Sequence, residues 1–164
     1  MSNRLNLVPS GTHELVMTRV FDAPRHLVFE ALTVPALVKR WMQGPEGWVL
    51  AVCEIDLRVG GALRYEWRHE DGRTMGMSGT YLAIDAPVGL SHSERFDEDW
   101  TAGEVINSSA LDELGGHTTL TSTLRYTSPE ARDMVLGSNM EAGVAASYAR
   151  LDALLEEIAR ETAR

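Results

Sequence analysis

A histidine and a glutamate two positions apart are the strongest candidates for chemistry in this 164-residue chain. His92 and Glu94 lie in one predicted strand, and period-two alternation places them on the same face as Leu90 and Phe96. If that face looks into a cavity, an imidazole and a carboxylate there can contact a polar ligand group or transfer a proton. The alternative is that the pair lies in solvent at the rim of a sheet or bonds to a neighbouring strand.

Other polar side chains point to structural roles more than to chemistry. Glu141 is either a polar group at the mouth of a pocket or, with Ser138, the capping box of a C-terminal helix. Asp56 and Arg58 flank Leu57 and predict a structural charge pair, although a lone arginine can also bind an anion.

Metal and cofactor chemistry have no support in the sequence. The single cysteine, Cys53, lies in an apolar strand face, where a small buried thiol is the ordinary outcome. The five histidines are scattered, and the chain lacks His-x-x-x-His, Cys-x-x-Cys, P-loop and dinucleotide motifs. We therefore expect no metal and no cofactor.

Large aromatic and methionine side chains recur on the predicted inward faces. Core packing is their default interpretation, but bulky residues with polar tips also suit an apolar pocket that has a few hydrogen-bonding groups. The predicted ligand-binding residues are Trp41, Tyr65, Trp67, Met75 (or Met77), His92, Glu94, Phe96, Met140, Val144 and Tyr148.

The elements that would position these residues are read from their periodicity. A long amphipathic helix is predicted over about 139–161, because six large apolar residues from Met140 to Ile158 recur in steps of three and four. Before it, alternating apolar residues predict strands, of which the clearest runs from Val49 to Val59 and precedes the bend at Gly60-Gly61. One helix lying across a bent sheet leaves space for a pocket.

The order of elements predicts an α+β protein with one domain. A first strand from about residue 13 is followed by two short helices, then about six antiparallel strands and the long helix. This makes a curved antiparallel sheet of about seven strands wrapped on the C-terminal helix. Residues 1–12 are expected to be a flexible leader, and residues 13–162 a single domain.

Several sequence strings match a known family. They are Phe29, Trp41, the run Asp56-Leu57-Arg58-Val59-Gly60-Gly61, Asp71-Gly72, Gly79, Glu94-Arg95-Phe96, Gly116-x-Thr118-x-Leu120 and Met140-Glu141-x-Gly143. Together with the element order, they resemble the helix-grip fold of the START-like (SRPBCC) superfamily, in its Hsp90 ATPase activator homologue branch. The resemblance covers roughly residues 13–160 and implies a ligand-sized cavity without a settled reaction.

The family name suggests a chaperone partner and stress response, but the resemblance extends only to the C-terminal part of the co-chaperone. The domain that engages the chaperone lies in front of that part, and the twelve residues before the first predicted strand are too few to supply it. A chaperone-interacting module is therefore the least favoured of three functions.

Bulk composition narrows the partners. The formal charge of −9 and the lack of a Lys/Arg cluster argue against nucleic acid and against an anionic membrane surface. No run of apolar residues is long enough to span a bilayer, and the single cysteine suits a reducing, cytoplasmic location. Whether the protein forms a homodimer stays open.

The sequence thus favours a protein that binds a small apolar or amphipathic molecule between helix and sheet. The second hypothesis is an enzyme of cyclase, dehydratase or hydrolase type that uses His92 and Glu94. Neither hypothesis identifies the ligand.

Overall fold

Within residues 3–163, a curved, eight-stranded antiparallel sheet forms the body of the molecule and packs with four helices. The computed structural model describes residues 3–163. Along the chain the elements are β1 (Asn6–Ser10), β2 (Glu14–Phe21), α1 (Arg25–Thr33), α2 (Pro35–Trp41), β3 (Trp48–Ile55), β4 (Ala62–His69), β5 (Thr74–Asp85), β6 (Gly89–Phe96), β7 (Val105–Leu114), β8 (His117–Arg125), α3 (Pro129–Leu136) and α4 (Met140–Thr162). The strands are ordered β1-β2-β8-β7-β6-β5-β4-β3. The predicted α+β helix-grip architecture is confirmed.

The sheet has eight strands where the sequence predicted about seven. The additional strand, β1, lies within residues 1–12, for which no element was expected, and pairs antiparallel with β2 from Asn6↔Thr18 to Ser10↔Glu14. It is a mostly exposed edge strand that contains Pro9, so it has neither the apolar alternation nor the composition of a central strand. As a result the two short helices follow the second strand.

Alternation explains the central strands well. In β2 every second residue is buried, including Leu15 and Phe21, and β8 buries Leu120 and Leu124 in the same way. These two strands pair along their whole length. Their inward faces supply one side of the core on which α4 packs.

The third strand ends earlier than its apolar pattern predicted. β3 stops at Ile55, and residues 56–61 form a turn in which Leu57 and Val59 are exposed. The turn is closed by a hydrogen bond from Gly61 N to Arg58 O (2.8 Å) and contains the expected exposed pair between Arg58 and Asp56 (2.9 Å). Apolar spacing alone could not reveal the turn, because its causes are backbone hydrogen bonds and close approach at Gly61.

The long helix α4 buries Tyr148, Leu151 and Leu155, as its predicted stripe requires. The predicted capping box does not form, because no side chain caps α4 and Ser138 instead donates a hydrogen bond to Val135 O at the end of α3. None of the helices in residues 3–163 is long and apolar enough to cross a membrane. The buried face of α4 packs on the sheet and covers it.

Candidate functional site

A partly enclosed cavity of about 220 Å³ lies between α4, the two short helices and the inward face of strands β4 to β8. We name it the helix–sheet cavity. Its lining comprises Leu32, Trp41, Met42, Tyr65, Trp67, Met77, Tyr81, Leu90, His92, Glu94, Phe96, Asn107, Ser109, Leu120, Ser122 and Tyr148. A single helix does not fill the concave side of the sheet, which is why this space remains.

Aromatic rings form the apolar walls of the cavity. Trp67 stacks on Phe96 at a centroid separation of 6.4 Å and meets Tyr65 edge-on at 5.7 Å. On the helical side of the cavity, the ring of Trp41 in α2 lies 5.9 Å from that of Tyr148 in α4. Such separations are typical of favourable aromatic pairs. The walls therefore offer flat ring faces to an occupant.

Both tryptophan N–H groups at the cavity are already used. Trp41 Nε1 donates to Ala31 O at 2.8 Å, and Trp67 Nε1 donates to Met42 O at 3.0 Å. These bonds tie the two rings to the backbone of the short helical region. An occupant therefore meets the indole faces and not their donors.

Three polar side chains meet on adjacent strands β6 and β7. Asn107 Nδ2 donates to Glu94 Oε2 at 3.0 Å, and His92 Nδ1 lies 3.7 Å from the same oxygen. The His92 and Glu94 side chains are only 12% and 17% exposed. Within residues 3–163, Asn107 Oδ1 is the one buried side-chain oxygen or nitrogen without a hydrogen-bond partner. We name these three residues the polar end of the cavity.

The geometry around His92 assigns its neutral tautomer. Its Nδ1 lies 3.2 Å from Ser93 O, and a carbonyl oxygen can only accept a hydrogen bond. In the neutral imidazole the proton is therefore on Nδ1, and Nε2 keeps its lone pair. His92 also meets Tyr81 edge-on at 5.8 Å, which holds the ring in place.

The Asp56–Gly61 turn positions one wall residue of the cavity. Gly60 N donates to Tyr81 O and Tyr81 N donates to Gly61 O, at 2.8 and 2.9 Å. A Cβ on Gly61 would lie 2.0 Å from Asp56 O, so only glycine allows this approach. Burial raises the pKa of Tyr81 to about 12, which keeps its phenol protonated at neutral pH.

Burial also raises the pKa values of Tyr65 and Tyr148. For Tyr148, a hydrogen bond with Ser122 opposes this rise without cancelling it. All three cavity tyrosines therefore stay neutral, and they can both donate and accept hydrogen bonds.

The profile of the family described as Activator of Hsp90 ATPase homolog 1-like protein matches residues 22–156, most of the chain. The chain belongs to this family. Among curated proteins, none matches the chain significantly.

Several solved protein structures have the same fold as this chain. A protein from Rhodobacter sphaeroides is 33% identical, with a TM-score of 0.89 over 94% of this chain and 99% of that one. A protein from Nitrosomonas europaea is 22% identical, with a TM-score of 0.80 over 95% and 100% of the two chains. The AHSA1 protein from Silicibacter pomeroyi is also 22% identical, with a TM-score of 0.69 over 90% and 99%. At 22% identity the likeness concerns the fold alone.

In this member of the Activator of Hsp90 ATPase homolog 1-like family, the predicted ligand-binding residues divide into two groups. Those that line the helix–sheet cavity are Trp41, Tyr65, Trp67, His92, Glu94, Phe96 and Tyr148. Met75, Met140 and Val144 do not line it; they are partly buried and pack against the core. Met77, the alternative to Met75, lines the cavity because it lies further along β5.

Two further predicted groups lie outside the cavity. Glu141 is exposed on the first turn of α4. Cys53 is buried, and burial raises the pKa of its thiol to about 11, which opposes nucleophilic reactivity. No set of three or more His, Cys, Asp or Glu side chains in residues 3–163 is arranged to hold a metal ion.

Sequence reasoning missed the polar residues contributed by β7 and β8. Asn107 and Ser109 lie on the same inward face of β7 as the buried Val105 and Leu111. Ser122 likewise shares the inward face of β8 with the buried Leu120 and Leu124. A small polar residue at an inward position of a strand is unusual, and that is the signal that could have identified them.

A second depression, of about 670 Å³, lies on the outside of the molecule and is much more open. Residues of the turn after α2, including Glu46 and Gly47, line it together with Trp48, Arg68 and Arg150. Its larger volume reflects its opening to solvent, so the helix–sheet cavity is the better candidate site.

Proposed function

We propose that this protein binds a small apolar or amphipathic molecule in the helix–sheet cavity. The observation that carries the proposal is the combination of aromatic walls with one polar end, at which Asn107 Oδ1 is buried without a partner. A buried polar atom without a hydrogen bond is costly, so a ligand that reaches it gains free energy. A cytoplasmic location belongs to the same proposal.

The cavity volume limits the ligand to about the size of one substituted ring. A dry cavity of about 150 Å³ suffices for benzene, and this cavity is about 220 Å³. A ligand that buries roughly 200 Å² of apolar surface gains about 5 kcal/mol before the entropy cost of association. We therefore expect dissociation constants no tighter than about 0.2 mM for simple ring compounds.

Two neighbouring serines on β7 provide a matched test. Ser109 lines the cavity, whereas Ser108 is exposed, because successive residues of a strand point to opposite faces. Ser109→Phe should fill the cavity and abolish the ¹H–¹⁵N NMR shifts that ethylbenzene and indole cause, and Ser108→Phe should preserve them. Equal binding by the two variants would place the site elsewhere.

Native mass spectrometry of freshly purified protein complements this test. A retained small molecule in the wild type and in Ser108→Phe, but not in Ser109→Phe, supports the cavity as its site. Retention by Ser109→Phe would contradict the proposal, because the phenyl ring leaves no room for an occupant.

A second candidate function is catalysis of the cyclase, dehydratase or hydrolase type. His92 and Glu94 both line the cavity, and the Nδ1 contact with Ser93 O leaves Nε2 as a base. If the molecule retained by the wild type is converted to a product over time and His92→Gln stops the conversion, the enzyme hypothesis gains; an unchanged molecule favours binding alone.

A further inference from the structure

The helix–sheet cavity contains one carboxylate and no fixed positive charge. Of its sixteen lining residues, all within the described part of the chain, Glu94 is the one acidic residue, and neither lysine nor arginine is present. The Glu94 side chain is only 17% exposed. Within the described residues, Glu94 forms no ion pair with a lysine or an arginine and has only His92, whose Nδ1 lies 3.7 Å from Oε2, beside it. A positively charged occupant would therefore stabilise this largely buried carboxylate.

Hydrogen bonding at the polar end also favours an occupant that donates. Rotating the Asn107 amide would bring its oxygen against the carboxylate of Glu94, so Nδ2 must face Oε2 and Oδ1 must remain a free acceptor. The neutral tautomer of His92 adds the lone pair of Nε2. The free acceptors at the polar end, which are Asn107 Oδ1, the Glu94 carboxylate and His92 Nε2, therefore favour an occupant that donates hydrogen bonds.

The aromatic walls complete the recognition of a cation. The stacked pair of Trp67 and Phe96 lies on the same side of the sheet as Glu94, and the faces of aromatic rings attract cations. The indole N–H groups of Trp41 and Trp67 donate to backbone carbonyls. The faces of these rings are therefore the part of each indole that can contact a ligand. The net charge of −9 further favours the approach of cations over anions.

We infer that the polar head of the ligand is a small organic ammonium ion, a protonated primary or secondary amine on an apolar or aromatic body. This rests on the proposed function and deepens it by naming the charge of the ligand. The ammonium group donates hydrogen bonds to Glu94 and Asn107, while the body packs against the aromatic walls. Repulsion from Glu94 weakens the binding of carboxylates of the same size.

Four probes with a shared phenyl body test the inference: 2-phenylethylammonium, 2-phenylethanol, phenylacetate and ethylbenzene. Dissociation constants come from ¹H–¹⁵N NMR titrations of the full chain at pH 7. We expect the ammonium ion to bind at least about tenfold more tightly than the alcohol. Phenylacetate should bind most weakly of the four.

A charge-neutral variant isolates the carboxylate. Glu94→Gln keeps the shape of the side chain. It should weaken the binding of the ammonium ion about tenfold and leave the affinity for ethylbenzene unchanged. Glu104→Gln is the matched control, because Glu104 is exposed and does not line the cavity. Retained ethylbenzene binding by Glu94→Gln also shows that this variant is folded.

The outcomes separate the two proposals. Phenylacetate binding as tightly as the ammonium ion, or an unchanged ammonium affinity in Glu94→Gln, overturns the ammonium inference while ethylbenzene binding preserves the cavity proposal. Failure of all four probes to bind overturns both.

Discussion

Arg19 of β2 forms an ion pair with Asp152 of α4 and thereby joins the sheet to its covering helix. The Arg19 side chain is 6% exposed, its second nitrogen Nη1 lies 3.3 Å from Asp152 Oδ1, and its guanidinium carbon lies 4.8 Å from the centre of the Phe21 ring. Phe21 in turn meets Tyr148 edge-on at 5.4 Å. Tyr148 and Asp152 are four residues apart on one helix face, so this contact holds Tyr148 in position over the helix–sheet cavity.

Removing the negative charge of Asp152 should weaken the attachment of α4. We expect Asp152→Asn to lower the free energy of unfolding by about 1–2 kcal/mol, because Arg19 is buried while Asp152 still reaches solvent. Urea denaturation measures the change. Glu156→Gln, which breaks the exposed pair with Arg160, should change it by less than about 0.5 kcal/mol. Equal effects of the two variants would show that the Arg19 pair stabilises the fold no more than an exposed ion pair does.

Period-two alternation in the sequence predicted most of the strands and part of the candidate site. It placed His92 and Glu94 on one strand face, and both line the cavity. It could not detect β1, whose stability comes from pairing with β2 and not from an apolar face. Similarly, the contribution of Asn107 depends on the register of β7 beside β6, where it pairs with His92. The register between paired strands is a tertiary property, and it cannot be predicted from the pattern of a single strand.

Helix ends show the same limit. Ser138 and Glu141 have the spacing of a capping box, yet the Ser138 hydroxyl bonds to the preceding helix. Few residues separate the two helices there. The Ser138 hydroxyl can therefore either donate to a carbonyl of α3 or accept from an amide of α4. Local spacing alone does not decide between them.

The Cys53 thiol should react slowly while the protein is folded. Burial raises its pKa to about 11, so at pH 8 only about 0.1% is thiolate, against about 10% when unfolded, which predicts alkylation about 100-fold slower. Iodoacetamide labelling at pH 8, followed by mass spectrometry with and without urea, measures both rates. Similar rates in the two states would contradict the burial of the thiol.

Asp97 should contribute stability that is lost in acid. Arg64 donates two hydrogen bonds of 2.8 Å to its carboxylate, which lowers the pKa of Asp97 in the folded state. Because the folded pKa lies below the unfolded one, the contribution is present in full above the unfolded value and is lost as the pH falls from about 4 toward the folded value.

We therefore expect Asp97→Asn to be less stable than the wild type at pH 6, with the difference shrinking as the pH falls below about 4. Urea midpoints at pH 6, 4 and 3 measure this trend. The neighbouring Glu98→Gln is the control, since Glu98 is exposed and forms no ion pair with another residue in 3–163. A difference that grows in acid would have the wrong sign for this mechanism.

Two glycines should respond in opposite directions to the same substitution. Gly79 of β5 approaches β6 so closely that an added Cβ would lie 2.0 Å from Ser93 O, whereas Gly143 of α4 has open space around that position. Gly143→Ala should raise the free energy of unfolding by about 0.5–1 kcal/mol, because alanine favours the helix. Gly79→Ala should lower it by about 2 kcal/mol or more, because the backbone of β6 must move.

The site supplies a second readout for this pair. Ser93 lies between His92 and Glu94, so the shift of β6 in Gly79→Ala should disturb the polar end of the cavity and weaken the binding of 2-phenylethanol. Gly143→Ala should bind it like the wild type, since Gly143 does not line the cavity. Thermal melts and NMR titrations of the two variants measure both effects. A Gly79→Ala protein of wild-type stability would show that β5 and β6 can separate without cost, and that this close contact does not hold His92 and Glu94 in place.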